Sequence, residues 1–125
     1  MVSKTALSPV ITIDFKRDRI RIHKRTLRFL GDPEYVLLLV NPGDHTLAIL
    51  RCDRSDSRAY RLPKARFYDK QSFEITSKCL LRNLLSMCGY LQDNHIYRLY
   101  GELVQNEGIV QFNLAEYCIA CGKQG

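Results

Sequence analysis

Seven cationic side chains lie within 13 residues near the start of the chain and could bind phosphate groups. They are Lys16, Arg17, Arg19, Arg21, Lys24, Arg25 and Arg28. Asp14 and Asp18 are the only acidic residues nearby, so the segment carries a strong local positive charge. Cations at this density release condensed counterions when they neutralise the phosphates of a polyanion. The segment therefore predicts a nucleic-acid-binding surface, although basic runs also occur as ordinary solvated faces.

The excess positive charge is confined to the first half of the chain. Residues 1–64 contain 13 Lys and Arg against 7 Asp and Glu, whereas residues 65–125 contain 6 of each class. The whole net charge of +6 therefore comes from the first half. We expect the first half to provide the binding surface and the second half to complete the core.

Residues that could carry catalysis or hold a metal do not converge in the sequence. There is no Gly-rich phosphate loop, no His-x-x-x-His pair and no nucleophile-elbow serine. His23 stands at a predicted strand-to-helix junction, where capping or a surface position is commoner than catalysis. Cys118 and Cys121 form a lone C-x-x-C without a second pair at metal-ligand spacing. We predict no catalytic activity, no cofactor and no metal site.

The basic segment falls on a predicted β-hairpin followed by a short helix. Residues 10–15 and 19–22 alternate between apolar and polar side chains, and residues 16–18 suit a tight turn. Ile20 and Ile22 then point inward, and the arginines beside them point outward. Residues 23–31 predict a short helix that ends at a glycine.

The remaining elements repeat this order. A hairpin is predicted from residues 35–40 and 46–51 around a turn at 41–44. The second half predicts a strand (72–75), a helix (78–88) capped by Thr76 or Ser77, a strand (97–104), a turn (105–108) and a return strand (109–114). Residues 115–121 predict a helical turn or a tail.

Two copies of one strand–helix–hairpin unit are therefore predicted within a single domain spanning residues 1–125. The units are residues 10–51 and 72–114, joined by a polar connector, 52–71, in which residues 58–62 suit an edge strand. At an offset of 53, Ile22 and Leu27 meet Ile75 and Leu80, and past the helix the offset becomes 62. One such unit buries little and exposes sheet edges, so we expect the two to interleave around a common core.

The first unit resembles a known family. Its basic strand and short helix ending in Leu30-Gly31, followed by a hydrophobic hairpin, are similar to the swapped-hairpin pattern of AbrB-type transition-state regulators, MazE-type antitoxins and MraZ. The resemblance covers residues 19–51 and, more weakly, 72–114. It implies a pseudo-two-fold, swapped-hairpin-like β-barrel of β-rich α+β class. It also implies that Arg19, Arg21, Lys24 and Arg25 contact DNA backbone, with the cations of the preceding turn beside them.

The chain departs from that pattern in three places. His23 stands where the family usually has proline, Asp18-Arg19 replaces the common Gly-Arg opening, and the second unit lacks most of the basic residues. A protein that binds a two-fold-symmetric DNA site needs a basic surface in each of its two halves. Homodimerisation is therefore expected to pair the basic halves of two chains. The function that follows is a nucleic-acid-binding, most readily DNA-binding, regulatory protein. The alternative is a protein-interaction module, such as an antitoxin-like or mobile-element accessory subunit, and RNA binding is a third reading.

The sequence predicts a cytoplasmic protein. The longest apolar run, residues 35–40, is six residues long, whereas a helical membrane span needs about 20. The first residues are not followed by the apolar core of a secretion signal. Five cysteines without framework spacing then predict reduced thiols. We expect no membrane association.

Overall fold

The computed structural model describes residues 8–53, 55–62, 72–104 and 108–119. The strands of these residues are β1 Val10–Asp14, β2 Arg19–His23, β3 Tyr35–Asn41, β4 Thr46–Cys52, β5 Tyr60–Arg61, β6 Ser72–Thr76, β7 Ile96–Tyr100, β8 Glu102–Val104, β9 Ile109–Asn113 and β10 Tyr117–Ile119. The helices are α1 Lys24–Phe29 and α2 Lys78–Met87. The strands form two antiparallel five-stranded sheets, which confirms the predicted β-rich α+β class.

The first sheet, here sheet A, holds the predicted basic hairpin. Its strand order is β10-β7-β1-β2-β6. β1 pairs with β2 from Ile11 opposite Ile22 to Asp14 opposite Arg19, so the hairpin is confirmed. Asp14 closes its turn, because Oδ1 accepts hydrogen bonds from the backbone N–H groups of Lys16 (2.9 Å) and Arg17 (3.1 Å). The strands that flank this hairpin, β6 on one side and β7 and β10 on the other, come from the second half of the chain, so both halves build this sheet.

The second sheet, sheet B, is built on the other predicted hairpin. Its strand order is β5-β3-β4-β9-β8, and β3 pairs with β4 along seven residues, from Tyr35 opposite Cys52 to Asn41 opposite Thr46. Asn41 nucleates the turn, since its Oδ1 accepts hydrogen bonds from the backbone N–H groups of Gly43 and Asp44. The short edge strand β5 lies within the predicted range 58–62. The rest of the connector, residues 63–71, lies outside the described residues.

Both helices begin and end where the sequence indicates. Ser77, one of the two predicted caps, accepts a hydrogen bond from Leu80 N–H at its Oγ (3.2 Å) and starts α2. The helix α1 is followed by Gly31 at φ +82°, a left-handed conformation that lets the N–H groups of Gly31 and Asp32 reach carbonyls of the last turn. The chain can therefore reverse at once into β3.

One hydrophobic cluster joins the inner faces of the sheets to the helices. Its fully buried members include Ile11, Ile13, Ile20 and Ile22 of sheet A, Leu47, Ile49, Val110 and Phe112 of sheet B, and Leu27, Leu81 and Leu84 of the helices. Ile20 and Ile22 are inaccessible to solvent whereas the side chain of Arg21 is 44% exposed, which confirms the predicted inward and outward alternation of β2.

The predicted strand 97–104 is wrong as a single element. The chain changes sheet at Gly101, so β7 pairs with β1 in sheet A and β8 pairs with β9 in sheet B. A Cβ at Gly101 would lie 2.6 Å from the backbone oxygen of Gln111 and 2.7 Å from the ring of Phe112. Only glycine allows this close approach. The second hairpin is consequently not a copy of the first, since Tyr35 lies in sheet B and Tyr97 in sheet A.

Two further expectations are corrected. Residues 117–119 form the edge strand β10 rather than a helical turn or tail, because they pair with β7. Over the described parts of the chain no closed barrel is found, since the strands divide into two separate sheets. Within the same residues, neither helix is long and apolar enough to cross a membrane.

Candidate nucleic-acid interface

The turn end of the β1–β2 hairpin carries cations that are already paired with acids. The Asp14 side chain is almost fully buried, and its Oδ2 lies 3.3 Å from Arg17 Nη1 and 3.2 Å from Arg19 Nε. Burial by itself would raise the pKa of Asp14, but hydrogen bonds from the backbone of Arg17 and Lys16 and from the two arginine side chains outweigh it, so the pKa is lowered. Asp14 therefore has a structural role, and its carboxylate neutralises part of the positive charge predicted for this segment.

A second acid, Glu74 on β6, neutralises the middle of β2. Its carboxylate lies 3.1 Å from Arg19 Nη1 and 3.5 Å from Arg21 Nε. The antiparallel register sets Glu74 directly opposite Arg21. Glu74 belongs to the second predicted unit, so the half that lacks excess charge supplies a counter-charge to the basic half. Sequence reasoning missed this contact because it depends on which strand pairs with β2.

The opposite end of β2 brings other cations together. Arg25 is half-buried at the start of α1, and its Nε donates a hydrogen bond to the backbone oxygen of Ser8 (2.8 Å). Lys24 is half-buried beside it and Arg28 is exposed at the last turn. Four residues of strand separate Arg19 from His23, or about 13 Å. The seven predicted residues therefore divide into a turn end (Lys16, Arg17 and Arg19) and a helix end (Lys24, Arg25 and Arg28), with Arg21 between them.

A groove of about 360 Å³ lies on the outer face of sheet A at the helix end. We call it the basic groove; its walls are formed by Val10, Ile11, Thr12, Arg21, His23, Arg25, Ser72, Arg98 and Tyr100. Three guanidinium-bearing residues thus come from three elements, β2, α1 and β7, to one concave surface. Side-chain hydroxyls of threonine, serine and tyrosine accompany them, so both charge and neutral hydrogen-bonding groups are present.

Arg98 was not among the predicted site residues. It stands in the second half of the chain, and it reaches the basic groove because β7 pairs with β1 and sets Arg98 opposite Thr12, which is itself opposite Arg21. The alternation of Tyr97, Arg98 and Leu99 does indicate that Arg98 points outward. The alternation does not predict which strand pairs with β7, because that pairing joins residues distant in sequence.

His23 confirms its predicted capping role and also reports the electrostatics of the basic groove. Its Nδ1 accepts a hydrogen bond from the backbone N–H of Arg25 (3.0 Å). The pKa of His23 is lowered, first by burial and then by the positive charges of Arg25, Arg28, Lys24 and Arg98. Four cations from two elements act on one ring, so the groove is a region of concentrated positive potential.

Other polar clusters serve the fold. Arg82 of α2 is held by Asp93 at 2.9 Å and by Asp18 at 2.8 Å, which fixes the helix against the hairpin turn. His45 and Tyr90 share a hydrogen bond of 2.9 Å, and burial is the first cause that raises the pKa of Tyr90. These groups lie outside the basic groove.

Metal ligands do not cluster in the part of the chain that the structure describes. No group of three or more His, Cys, Asp or Glu side chains is placed there to hold an ion. Cys118 is an exposed free thiol, and Cys121 lies outside the described residues. The absence of a metal site stays a prediction for the whole chain.

No protein-family model, no curated protein and no solved structure matches the chain. The resemblance to swapped-hairpin regulators therefore stays a prediction, and the groove must be interpreted from its own chemistry.

Proposed function

We propose that this protein binds nucleic acid, and duplex DNA in particular, through the basic groove, and that it acts as a regulator without catalytic activity. The observation that carries the proposal is the convergence of Arg21, Arg25 and Arg98 with His23 on one concave surface. Guanidinium groups match phosphate oxygens in geometry and charge, and they do so best where water is partly excluded. A phosphate backbone is the polyanion that such a groove would recognise.

The strand pairing supports the two-unit, swapped-hairpin interpretation on which the duplex preference rests. Equivalent strands of the two predicted units pair with each other, β2 with β6 and β4 with β9. Strands also pair across the units, since β1 of the first unit pairs with β7 of the second. These pairings are expected of two interleaved copies, with the hairpin of the second unit divided between the two sheets at Gly101.

A homodimer forms part of the proposal. Glu74, which belongs to the second unit, neutralises part of β2, and the second unit lacks most of the basic residues of the first. A two-fold-symmetric site on DNA would then need two chains. Light scattering coupled to size exclusion, with and without duplex, measures this directly. A complex of one chain per duplex at all concentrations would contradict the dimer while leaving the groove proposal intact.

The binding test uses fluorescence anisotropy with a labelled duplex of about 20 base pairs across a salt series. We expect the logarithm of the association constant to fall linearly with the logarithm of salt concentration, with a slope of about −3, because each neutralised phosphate contributes about −0.9. Binding that is undetectable at about 50 mM salt, where phosphate contacts are strong, would overturn the proposal.

A matched pair of variants separates the groove from general charge. Arg98→Gln and Arg61→Gln each remove one positive charge from an exposed strand residue, in sheets A and B respectively. We expect Arg98→Gln to weaken binding about tenfold and to reduce the salt slope by about 0.9, with Arg61→Gln within about twofold of wild type. Equal losses would show that net charge, and not the groove, attracts the duplex.

Competition identifies the kind of nucleic acid. Unlabelled duplex DNA, single-stranded DNA and RNA of the same sequence are each added to the labelled complex, and duplex DNA is expected to compete best. Stronger competition by RNA would show that the groove binds RNA in preference to duplex DNA.

The protein-interaction alternative is tested by capture of partners from lysate with and without nuclease. The exposed large apolar side chains of the described residues are Leu39 (39%), Leu103 (38%) and Ile119 (63%). Single exposed apolar residues are common on protein surfaces and do not by themselves favour a protein partner. A partner retained after nuclease treatment, together with no affinity for any polynucleotide, would favour the alternative.

A further inference from the structure

His23 is held in one tautomer by its position between β2 and α1. Its Nδ1 accepts the backbone N–H of Arg25 at 3.0 Å. A ring nitrogen that accepts a hydrogen bond carries no proton, so the neutral imidazole of His23 carries its proton on Nε2. The ring also lines the basic groove, opposite Ser72 in the sheet.

Among the described residues no hydrogen bond engages Nε2, whereas Nδ1 is occupied by the cap. An Nε2–H group is a donor, and the oxygens of a phosphodiester or a sulfate are acceptors. The cap therefore leaves the ring with one donor for an anion that enters the groove.

Among the described residues, Glu74 on β6 is an acidic neighbour of β2; it lies opposite Arg21 and pairs with Arg19 and Arg21. The other charged and titratable groups that line the groove or act on His23 are positive or neutral. They are Arg21 on its own strand, Lys24, Arg25 and Arg28 on α1, and Arg98 and Tyr100 on β7; the facing residue on β6 is Ser72 and the groove residue of β1 is Thr12. Burial and the cations keep the ring neutral in the empty groove near pH 7, because they lower the pKa of His23 below 6.5. A bound anion would reverse the local field.

We propose that His23 is an anion ligand of the basic groove, and that anion binding and protonation of His23 favour each other. The inference deepens the proposed function, since it concerns the same groove. Protonation places a hydrogen on Nδ1 and breaks the cap to Arg25, but it does so in the empty and in the occupied groove alike. That cost cancels from the effect of pH on affinity, and the attraction between imidazolium and anion remains.

A fall in pH is therefore expected to raise the affinity for an anion and to lower the stability of the empty protein. Affinity for an anion rises as pH falls, because each ligand of a coupled pair strengthens the other by the same factor. Stability of the empty protein falls over the same range, because the folded state resists the proton that the unfolded state accepts. A general loosening of the fold in acid would weaken binding and would not produce this pair of effects.

The first experiment compares the wild type with His23→Asn between about pH 7.5 and 5.5 at constant ionic strength. Asparagine can cap α1 through its side-chain oxygen and does not titrate. We expect the affinity of the wild type for the labelled duplex to rise, by up to about tenfold if the anion raises the pKa of His23 by one unit. The affinity of His23→Asn is expected to stay flat. A parallel rise in both proteins would overturn the inference.

The second experiment does not depend on nucleic acid. Ring ¹⁵N shifts of His23 are followed by NMR against pH, with sodium sulfate or with sodium chloride at matched ionic strength. We expect the Nε2–H tautomer and a pKa of His23 that sulfate raises. An Nδ1–H tautomer, or a pKa that sulfate leaves unchanged, would contradict the inference even if the duplex binds. A sulfate-dependent pKa without duplex binding would uphold the inference and reject the proposed function.

Discussion

The two ends of the β1–β2 hairpin hold similar numbers of cations but use them differently. At the turn end, Arg17 and Arg19 are bound to the buried carboxylate of Asp14, and Arg19 also contacts Glu74. At the helix end, Arg25 and Arg98 face a groove from different elements. Positive charge that is dense in sequence is therefore not used in one way in space, since Asp14 and Glu74 pair with Arg17 and Arg19 at the turn end.

The comparison predicts a clear separation between stability and binding. The turn end is expected to govern stability because its anion is buried and fully coordinated. The helix end is expected to govern affinity for polyanions because its cations line a concave, solvent-accessible surface. Four measurements test this separation, beginning with the largest effect.

Asp14→Asn tests the stabilising role of the turn end. The substitution removes a buried charge that pairs with two arginines and leaves their hydrogen bonds poorly matched, so we expect a loss of about 2–4 kcal/mol in the free energy of unfolding. Urea denaturation measures it. Asp56→Asn, which breaks an exposed ion pair with Arg58, is the control and should leave stability unchanged within error. Duplex affinity of folded Asp14→Asn is expected to stay within about twofold of wild type.

Charge-matched double variants test the binding role of the helix end. Arg25→Gln with Arg98→Gln is expected to weaken duplex binding about 100-fold, since each lost charge-assisted contact is worth about 1.5 kcal/mol. Lys16→Gln with Arg17→Gln removes the same charge from the turn end and should weaken binding less than about threefold. Anisotropy at one salt concentration compares them. Equal losses would abolish the distinction between the two ends.

Glu74→Gln removes the acid that pairs with two arginines of β2. It releases Arg19 and Arg21 from their shared carboxylate, so duplex affinity is expected to rise about threefold. Glu34→Gln, which removes the same charge from the loop before β3, is the control for net charge. If both variants gain equally, then Glu74 does not restrain the groove.

The smallest effect concerns stability near neutral pH. Because the folded-state pKa of His23 lies below its usual 6.5, this residue contributes nothing unfavourable above pH 6.5 and costs stability as pH falls below that value, until the folded state also takes up the proton. Urea midpoints measured at several pH values should therefore fall less in His23→Asn than in the wild type. Identical pH dependence would show that the ring is not held neutral.

Local features of the chain were predictable and long-range ones were not. Ile20 and Ile22 alternate with arginines, and His23 stands at a strand-to-helix junction, so the strand and the capping role could be inferred from neighbouring residues. Arg98 enters the groove through a pairing with β1, and the chain changes sheet at Gly101, where Gln111 and Phe112 leave no room for a Cβ. Neither follows from local pattern, because both depend on residues distant in sequence.

The same distinction explains why the site was only half predicted. Six of the seven cations divide between the two ends. Arg17 and Arg19 pair with Asp14, which is local in sequence, and Arg19 and Arg21 pair with Glu74, which is not. Counting charges along the chain finds the basic segment. It does not find which of its members remain available after folding.

The pairing of β1 with β7 also means that the two walls of the basic groove are synthesised at different times. Thr12 and Arg98 are neighbours in the sheet but are separated by 86 positions in the chain (98 − 12). At about 5–20 residues per second, a ribosome needs roughly 4–17 s to pass from one to the other. During that interval the residues of the β1–β2 hairpin have been synthesised and one wall of the groove has not. The nascent chain consequently has the basic segment before it has the surface proposed to bind, and engagement of a polyanion through the complete groove must follow synthesis of the second half.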